Sequence, residues 1–462
     1  MKLWKPSHSR IFCLHAALAT TLVLLGCGQS GSDPTEPSSG LVTLSAPIAD
    51  DEGNVTFTEV EGYPKSAMLD PAAEPSGSER QPFVREQDRM NGGPVRTVSA
   101  EAVVENPATP ESILEEIAQL RATPNDVIRN PLAGKPGEFE EIKLQPNQIE
   151  AEQTRRLQKI VELAMEVIGK TFQDQSQEQY FSSAVVYLAE TRLQLALKGD
   201  ESQAALMAED AEALFKRDES SFAAVESSFK LLQLTGAKAQ EHADDAQWSV
   251  AFARQARMFA ERFPQETSRV TVGLTKSGQQ CDALGLTDEA RLCYEILVQR
   301  YPEAPFAQVA TAALRRFDLV GKPLTNFGGP SPGGGVVQAD ELIGKPTLVV
   351  FWSGNSQEFA AALPQLRAVT QTVGSDRMNV VAVNMDGNQQ SISQLASSGN
   401  AFATHHIFFD AAQLQGARNP FEQFYGLTHV PSMWLVDSQG VVRNVHVDIN
   451  QLGEQLAAVI SE

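Results

Sequence analysis

The cysteines are the residues whose chemistry follows most directly from their type and spacing. Of the four, Cys13 and Cys27 lie in an apolar amino-terminal segment, whereas Cys281 and Cys293 lie twelve positions apart in the middle of the chain. We expect the second pair on neighbouring antiparallel helices, and we predict a structural disulfide, since closing such a loop stabilises a fold by about 3 kcal/mol. A redox-active pair is the alternative, although such pairs are usually CxxC motifs at a helix amino terminus.

Other polar side chains give weak signals for catalysis. Ser356 could act as a nucleophile only beside a positioned base, and no motif links His405, His406 or His429 to it, so we expect these histidines on the surface or in loops. Metal-ligand spacings are not recognisable, and residues 333–335 lack the lysine and the helix of a phosphate-binding loop. The formal net charge of −21 disfavours nucleic acid. We therefore predict no metal, no cofactor and no nucleic-acid partner.

The pattern of residues 347–364 predicts a strand, a turn and a helix. Residues 348–352 form an unbroken apolar run, which is typical of a central strand covered on both faces. A polar loop follows over residues 353–358. The helical face comprises Leu363, Leu366, Val369 and Val373. Pro364 predicts a kink in this helix.

This stretch resembles the active-site unit of thioredoxin-like proteins, specifically the membrane-anchored TlpA/ResA type and the wider redoxin group. Their pattern is roughly FWA-x-WC-x-x-C-x-x-E-x-P, and aligning Phe351-Trp352 and Pro364 without a gap puts Ser356 and Phe359 at the two cysteine positions. A serine hydroxyl and a phenyl ring can neither form nor resolve a mixed disulfide. The tryptophan and the glutamate of the pattern are replaced by Asn355 and Ala362. The resemblance thus implies a thioredoxin-like fold without its usual catalytic cysteines.

The same resemblance gives a meaning to Val430-Pro431. In thioredoxins the equivalent proline is cis and faces the two cysteines, and the backbone of the residue before it pairs with an extended partner peptide. A cis bond before proline costs little, so the resemblance implies one here, together with a protein or extended peptide as partner. The peptide groove that it implies comprises Trp352, Asn355, Ser356, Phe359, Val430 and Pro431.

The remainder of residues 320–462 continues an α/β pattern. Further strands are predicted at residues 379–384 and 430–437, a short strand and loop at 407–410, and a returning strand at 441–447 after a hairpin turn. Helices are predicted at residues 389–395, 421–426 and 451–460. We therefore predict an α/β thioredoxin-like domain with a mixed central sheet over residues 320–462.

Residues 110–319 carry mainly helical signals. Arg262-Phe263-Pro264 and Arg300-Tyr301-Pro302 repeat an Arg-aromatic-Pro pattern 38 positions apart. Each copy is predicted to close one helix before the next begins. The second copy, with Gly285 at the preceding turn, is similar to a tetratricopeptide helix hairpin, and residues 213–234 look like a looser third copy. We predict an all-α region of stacked helical hairpins, with an irregular helical bundle as the alternative.

The amino terminus predicts export and lipid attachment. A basic start precedes the apolar residues 11–25, and Leu-Leu-Gly-Cys27 then resembles a bacterial lipobox, whose cysteine is acylated. Residues 28–109, rich in Ser, Pro, Gly and acidic residues, predict a disordered tether, with a short strand in LVTLSAPI or NVTFTEV as an alternative. We predict a signal peptide over residues 1–27, followed by a membrane-anchored lipoprotein facing the periplasm or the outer surface. A plain signal peptide or an anchor helix is the alternative.

These patterns lead to one functional hypothesis and two alternatives. The first is a non-catalytic, lipid-anchored interaction protein, which binds through its thioredoxin-like domain and its helical region. The second is a thiol:disulfide oxidoreductase or redoxin of the TlpA type, which would have to use Cys281 and Cys293. The third is a structural lipoprotein whose helices bind cell-wall or membrane-complex components.

Overall fold

The computed structural model describes residues 48–49, 55–56, 108–132, 139–386, 389–399, 401–411, 414 and 418–461. The predicted signal peptide, Cys27 and nearly all of the predicted tether lie outside them. Within the tether, strands β1 (Ile48–Ala49) and β2 (Val55–Thr56) pair antiparallel. Strand β2 lies in the segment NVTFTEV, whereas β1 shares only Ile48 with LVTLSAPI. Everything described belongs to one compact unit, Leu41–Glu462.

The amino-terminal part of the described chain is helical, as predicted. Its nine described α-helices are α1 (Pro110–Ala122), α2 (Pro146–Thr171), α3 (Glu178–Leu197), α4 (Glu201–Arg217), α5 (Phe222–Glu241), α6 (Ala246–Arg262), α7 (Thr267–Ala283), α8 (Thr287–Arg300) and α9 (Ala307–Phe317). Successive helices pack as antiparallel hairpins. In addition, α3 packs against α5 and α5 packs against α7, so neighbouring hairpins stack. This arrangement confirms the prediction of stacked helical hairpins.

Local chemistry accounts for where these helices begin and end. The side chains of Thr109, Asp200, Ser221 and Asp245 accept hydrogen bonds from the first backbone N–H groups of α1, α4, α5 and α6. The two Arg-aromatic-Pro motifs close α6 at Arg262 and α8 at Arg300. The Tyr301 hydroxyl donates to the Pro264 carbonyl over 3.2 Å, so the second motif lies directly against the first.

A β-hairpin lies between α1 and α2, in a segment that was predicted to contain no strand. Strand β3 (Val127–Pro131) pairs antiparallel with β4 (Phe139–Lys143). The prolines of this segment suggest an irregular connection, but Pro131 is the last residue of β3, where a missing N–H is tolerated. The Arg156 guanidinium of α2 donates to the carbonyl of Val127 over 2.9 Å and ties the hairpin to the helices.

The carboxyl-terminal part is an α/β unit with a five-stranded mixed sheet among its described residues. Its elements are β5 (Gly328–Pro330), β6 (Val336–Gln338), β7 (Thr347–Trp352), α10 (Gln357–Val373), β8 (Asn379–Asn384), α11 (Gln390–Ser397), β9 (His405–Ile407), α12 (Pro420–Tyr425), β10 (Ser432–Val436), β11 (Val442–Asn444) and α13 (Leu452–Ser461). The strand order is β11-β10-β7-β8-β9. Strands β7, β8 and β9 are parallel, whereas β10 and β11 run antiparallel to their neighbours. The mixed sheet is as predicted, and Pro364 lies inside α10.

The buried strand β7 divides its side chains between two cores, because successive residues of a strand point to opposite faces. Leu348, Val350 and Trp352 pack with α10, α11 and α13. Val349 and Phe351 belong to a second core that continues without a break into helices α5 to α9. The helical region therefore covers one face of the sheet.

A buried arginine, Arg316, joins the two regions. Arg316 of α9 donates to the carbonyl of Gly426, at the end of α12, over 3.0 Å, and it also forms an ion pair with Asp282 of α7. Gly426 has φ of 60°, and a Cβ there would lie 2.7 Å from the backbone nitrogen of Ala313. Only glycine fits both the backbone conformation and this close approach.

Candidate functional site

Ser356 forms the start of α10, at the carboxyl end of β7. Its hydroxyl oxygen accepts a hydrogen bond from the Phe359 N–H at 3.1 Å, which makes Ser356 the helix N-cap. The same oxygen lies 2.9 Å from the Val430 carbonyl and 2.9 Å from a Glu358 carboxylate oxygen. One hydroxyl proton serves one acceptor at a time. Ser356 thus links the start of α10 to the segment around Val430.

The peptide bond between Val430 and Pro431 is cis, as the sequence predicts. Both residues are half-buried. The Val430 carbonyl, which the family resemblance assigns to a partner peptide, here accepts a hydrogen bond from Ser356. We refer to residues 428–431 as the cis-Pro loop.

Two residues predicted to line the groove lie in the core. Trp352 is 1% exposed and Phe359 is 3% exposed. Their ring centroids are 5.0 Å apart, and Phe402 lies 5.8 Å from Phe359. The prediction that Trp352 and Phe359 contact a partner is therefore wrong. Phe359 lies in the first turn of α10 and packs towards the sheet, so its phenyl ring fills apolar space.

The other predicted groove residues remain at the surface. Asn355 is exposed, and Ser356, Val430 and Pro431 are half-buried. The hydrogen bond between Ser356 and Val430 places all four close together. Their contact with a peptide remains a prediction.

Asp386 organises the loop before α10, although no motif in the sequence marks it. Its carboxylate accepts hydrogen bonds from the hydroxyls of Ser353 and Ser391, from the Gly354 N–H at 2.9 Å and from the Asn384 amide at 3.0 Å. Burial alone would raise the pKa of Asp386, but these hydrogen bonds outweigh it and the pKa lies below its ordinary value. The loop at the degenerate active-site position is therefore fixed by a buried carboxylate. The one feature of the sequence that points to Asp386 is its position two residues after the end of β8, the strand that runs parallel to β7.

Cys281 and Cys293 are separate, buried thiols, so the predicted disulfide is wrong. The Cys281 Sγ lies 3.5 Å from the Ser249 carbonyl, and the Cys293 Sγ lies 3.9 Å from the Ala253 carbonyl. Those two carbonyls are four residues apart on α6, hence about 6 Å along the helix axis. The neighbouring helices do bring the cysteines together, as expected, but each thiol packs against a different turn of α6.

Neither thiol is poised for reaction. Both residues are fully buried. Burial raises the pKa of Cys281 to about 12. Burial also raises the pKa of Cys293, although Ser277 and Arg257 oppose this effect. Because the thiolate is the nucleophile in disulfide exchange, burial disfavours the reactive form of both cysteines at neutral pH.

The histidines occupy two different places. His405 and His406 are partly exposed in the edge strand β9, which agrees with a surface position but not with a loop. Burial lowers the pKa of His406. His429 does lie in a loop, directly before the cis peptide. Burial, with smaller effects of Arg316 and His446, lowers the pKa of His429 to about 4 against the opposing effect of Asp282.

The helical region reaches the cis-Pro loop through the turn between α7 and α8. Gly285 of this turn has φ of 71°, and a Cβ there would overlap the ring of His446. The rings of His446 and His429 have centroids 5.9 Å apart. A continuous series of contacts thus runs from Gly285 through His446 and His429 to Val430 and Ser356.

Other possible site chemistry finds no support among the described residues. No three side chains of His, Cys, Asp or Glu type are grouped there to hold a metal ion. No helix in the described part of the chain combines the length and the apolar character needed to span a membrane. The arrangement around Ser356 can present backbone and side-chain hydrogen-bonding groups to a ligand.

Comparison with known proteins identifies the carboxyl-terminal fold. Residues 344–442 match the family model described as thioredoxin-like. This part of the chain is therefore a thioredoxin-like domain. No curated protein matches the chain.

Three solved structures illustrate the likeness. The first is a Chlorobium tepidum protein assigned as thiol:disulfide interchange protein DsbE (22% identity, TM-score 0.26, covering 30% of this chain and 97% of that one). The second is the thioredoxin domain of a thiol-disulfide oxidoreductase from Bacteroides vulgatus (15% identity, TM-score 0.27, covering 30% of this chain and 97% of that one). The third is a secreted disulfide oxidoreductase from Mycobacterium tuberculosis (17% identity, TM-score 0.23, covering 29% of this chain and 95% of that one).

Proposed function

We propose that this chain is a lipid-anchored envelope protein whose thioredoxin-like domain binds an extended polypeptide beside the cis-Pro loop without thiol–disulfide exchange. The observation that carries the proposal is the role of Ser356. Its hydroxyl caps α10 and lies within hydrogen-bond distance of the Val430 carbonyl. The residue at the first cysteine position therefore has a structural role, linking α10 to the cis-Pro loop. Phe359, at the second cysteine position, fills the core.

The retained surface supports peptide binding. Asn355 is exposed beside the cis-Pro loop, and the Val430 N–H donates no hydrogen bond within the described residues. An extended peptide could offer a carbonyl to this N–H, as in recognition by strand addition. The Asp386 network fixes the loop that carries Asn355, so little conformational freedom is lost on binding.

The oxidoreductase alternative is weakened by the state of its only available thiols. All four cysteines lie outside residues 320–462. With a pKa of about 12, Cys281 would be thiolate in roughly one molecule in 10⁵ at pH 7. Exchange with a partner disulfide would also require helices α6 to α8 to open.

Anchorage rests on the sequence of the amino terminus. The apolar segment ending in Leu-Leu-Gly-Cys27 supports acylation of Cys27, and two acyl chains would hold the protein stably on a membrane. Mass spectrometry of membrane-extracted protein tests this part of the proposal. We expect a diacyl mass increase on a chain that begins at Cys27, and Cys27→Ala should abolish it.

Peptide binding is tested by photo-crosslinking in the full chain. A photoreactive phenylalanine analogue replaces Asn355, or Asn147 as a control, since Asn147 is an exposed residue in the first turn of α2. The probe is an unstructured 15-residue peptide of Ser, Thr, Val and Gln. We expect crosslinks from position 355 and none from position 147. Equal yields, or no crosslink from position 355, would refute peptide binding at this surface.

A further inference from the structure

The cis-Pro loop makes few hydrogen bonds within the described part of the chain. The Val430 carbonyl accepts one from the Ser356 hydroxyl, and among the described residues this is the one hydrogen bond of residues 428–431. The His429 ring buries its Nδ1 atom without a hydrogen-bond partner there. The position of this loop therefore depends mainly on packing.

His429 packs against His446, which follows β11. The two ring centroids are 5.9 Å apart and the ring planes are tilted by 53°, an ordinary arrangement for paired aromatic rings. The backbone on both sides of His446 is fixed. Val445 and Val447 are each 5% exposed, and the Val447 N–H donates to the Met433 carbonyl over 3.0 Å. The His446 ring can therefore move only by rotation about its side-chain bonds.

On its other side, the His446 ring lies against the α7–α8 turn. A Cβ at Gly285 would lie 2.3 Å from the His446 Cδ2 atom, whereas carbon atoms in contact are about 3.5–4.0 Å apart. The turn is itself fixed, because the Gly285 N–H donates to the Asp282 carbonyl over 3.0 Å and the Asp282 carboxylate pairs with the buried Arg316. The His446 ring is thus held between the helical region and His429.

We propose that the α7–α8 turn of the helical region positions the cis-Pro loop for peptide binding, with His446 as the positioning residue between the turn and His429. This inference rests on the proposed peptide binding and adds its control by the helical region. His429 is bonded directly to Val430, whose N–H is the proposed donor to the peptide. A change that shifts the turn should therefore change the affinity of the thioredoxin-like domain for a peptide.

A double-mutant cycle in the full chain tests this contact. The probe is a dye-labelled, unstructured 15-residue peptide of Ser, Thr, Val and Gln, and fluorescence anisotropy measures its dissociation constant. Gly285→Ala places a Cβ inside the His446 ring, so we expect about tenfold weaker binding. His446→Ala should itself weaken binding severalfold. In the His446→Ala background, Gly285→Ala should cost less than about twofold, because the ring that the Cβ would overlap is gone.

Gly199→Ala is the matched control for backbone strain. Gly199 lies in the α3–α4 turn with φ of 101°, and Gly285 has φ of 71°, so alanine is strained at both positions. A Cβ at Gly199 would meet no described atom outside its neighbouring residues within 4 Å. The control should therefore keep the affinity of the parent protein. Circular dichroism at the assay temperature shows whether each variant is folded.

Several results would overturn the inference. One is an equal loss of affinity for Gly285→Ala in both backgrounds, and another is no loss in either. An equal loss in Gly199→Ala would assign the effect to backbone strain. If Gly285→Ala does not fold, His446→Ala alone decides, and an unchanged affinity in that variant would refute the positioning role.

Hydrogen–deuterium exchange reports the contact without a peptide. The amide of Val447 should exchange at least about threefold faster in Gly285→Ala than in the parent protein, because the displaced ring disturbs its bond to Met433. The double variant should exchange at the same rate as His446→Ala. Unchanged exchange in Gly285→Ala would contradict the inference. A parent protein that binds no peptide refutes the proposed function, whereas peptide binding that none of these substitutions alters refutes the inference alone.

Discussion

Replacing Arg316 with methionine should destabilise the whole protein, because this side chain joins the helical region to the thioredoxin-like domain. Arg316 is 1% exposed, and it binds both the Asp282 carboxylate and the Gly426 carbonyl. Methionine keeps most of the apolar stem but removes the charge. Asp282, itself 3% exposed, would then remain as a buried carboxylate without its ion-pair partner.

The expected loss follows from the burial of both partners. Removing one member of a buried ion pair typically costs about 3–5 kcal/mol, since the remaining charge is left uncompensated. Removing both members is much less costly, because apolar residues of similar size can fill the space. Arg316→Met should therefore lower the free energy of unfolding by about 3–5 kcal/mol. Arg316→Met/Asp282→Leu should regain most of this loss.

Urea unfolding of the full chain measures both effects. Tryptophan fluorescence includes Trp352 and Trp434 of the sheet together with Trp248 of α6, whereas far-UV circular dichroism is dominated by the helices. Since the helices and the sheet share one core, the two signals should change in a single coincident transition, in the parent protein as well as in both variants. Arg291→Met, which breaks an exposed pair with Asp318, is the control and should cost at most about 1 kcal/mol.

Two results would refute this reasoning. A loss below about 1 kcal/mol for Arg316→Met would mean that the buried contacts of Arg316 with Asp282 and Gly426 contribute little to stability. Separate transitions for fluorescence and circular dichroism in the parent protein would mean that the helical region and the thioredoxin-like domain unfold independently.

Three further predictions concern the candidate site and its neighbours. Ser356→Ala should lower the free energy of unfolding by about 1 kcal/mol through loss of the N-cap, and Ser356→Thr should retain most of it, as measured by chemical denaturation. Phe359→Ala should cost about 3–5 kcal/mol, because it empties a buried site next to Trp352; a cost below 1 kcal/mol would contradict its burial. For His429, the folded pKa of about 4 lies below the unfolded value of 6.5, so the unfolded chain binds the proton first on acidification. His429 should therefore contribute a loss of about 2.5 kcal/mol of stability between pH 6.5 and pH 4, and His429→Gln should remove that contribution when urea unfolding is measured across this pH range; an unchanged slope in the variant would contradict it.

Short-range patterns in the sequence predicted the elements that build the site. The apolar run before Ser353 became the buried strand β7, and the helical spacing after it became α10. The cis bond before Pro431 was also predicted, because the residues around it match the family pattern closely. The hairpin β3–β4 was missed, since prolines at strand ends look like those of irregular connections.

Side-chain direction and long-range polar contacts were beyond the reach of the sequence. The spacing that assigned Phe359 to a cysteine position could not show that a phenyl ring there would turn into the core. The twelve-residue spacing of Cys281 and Cys293 placed them on neighbouring helices but could not show which turn of α6 each thiol faces. Asp386 and Arg316 act through partners distant in sequence, which a single chain without its fold cannot reveal.

The most direct test of the central claim is an insulin-reduction assay with dithiothreitol, run on the full chain and on Cys281→Ser/Cys293→Ser. If the thioredoxin-like domain binds polypeptide without thiol–disulfide exchange, both proteins should reduce insulin no faster than dithiothreitol alone. Turnover by the parent protein that disappears in the double variant, while the variant remains folded, would contradict the account and make the two buried cysteines catalytic.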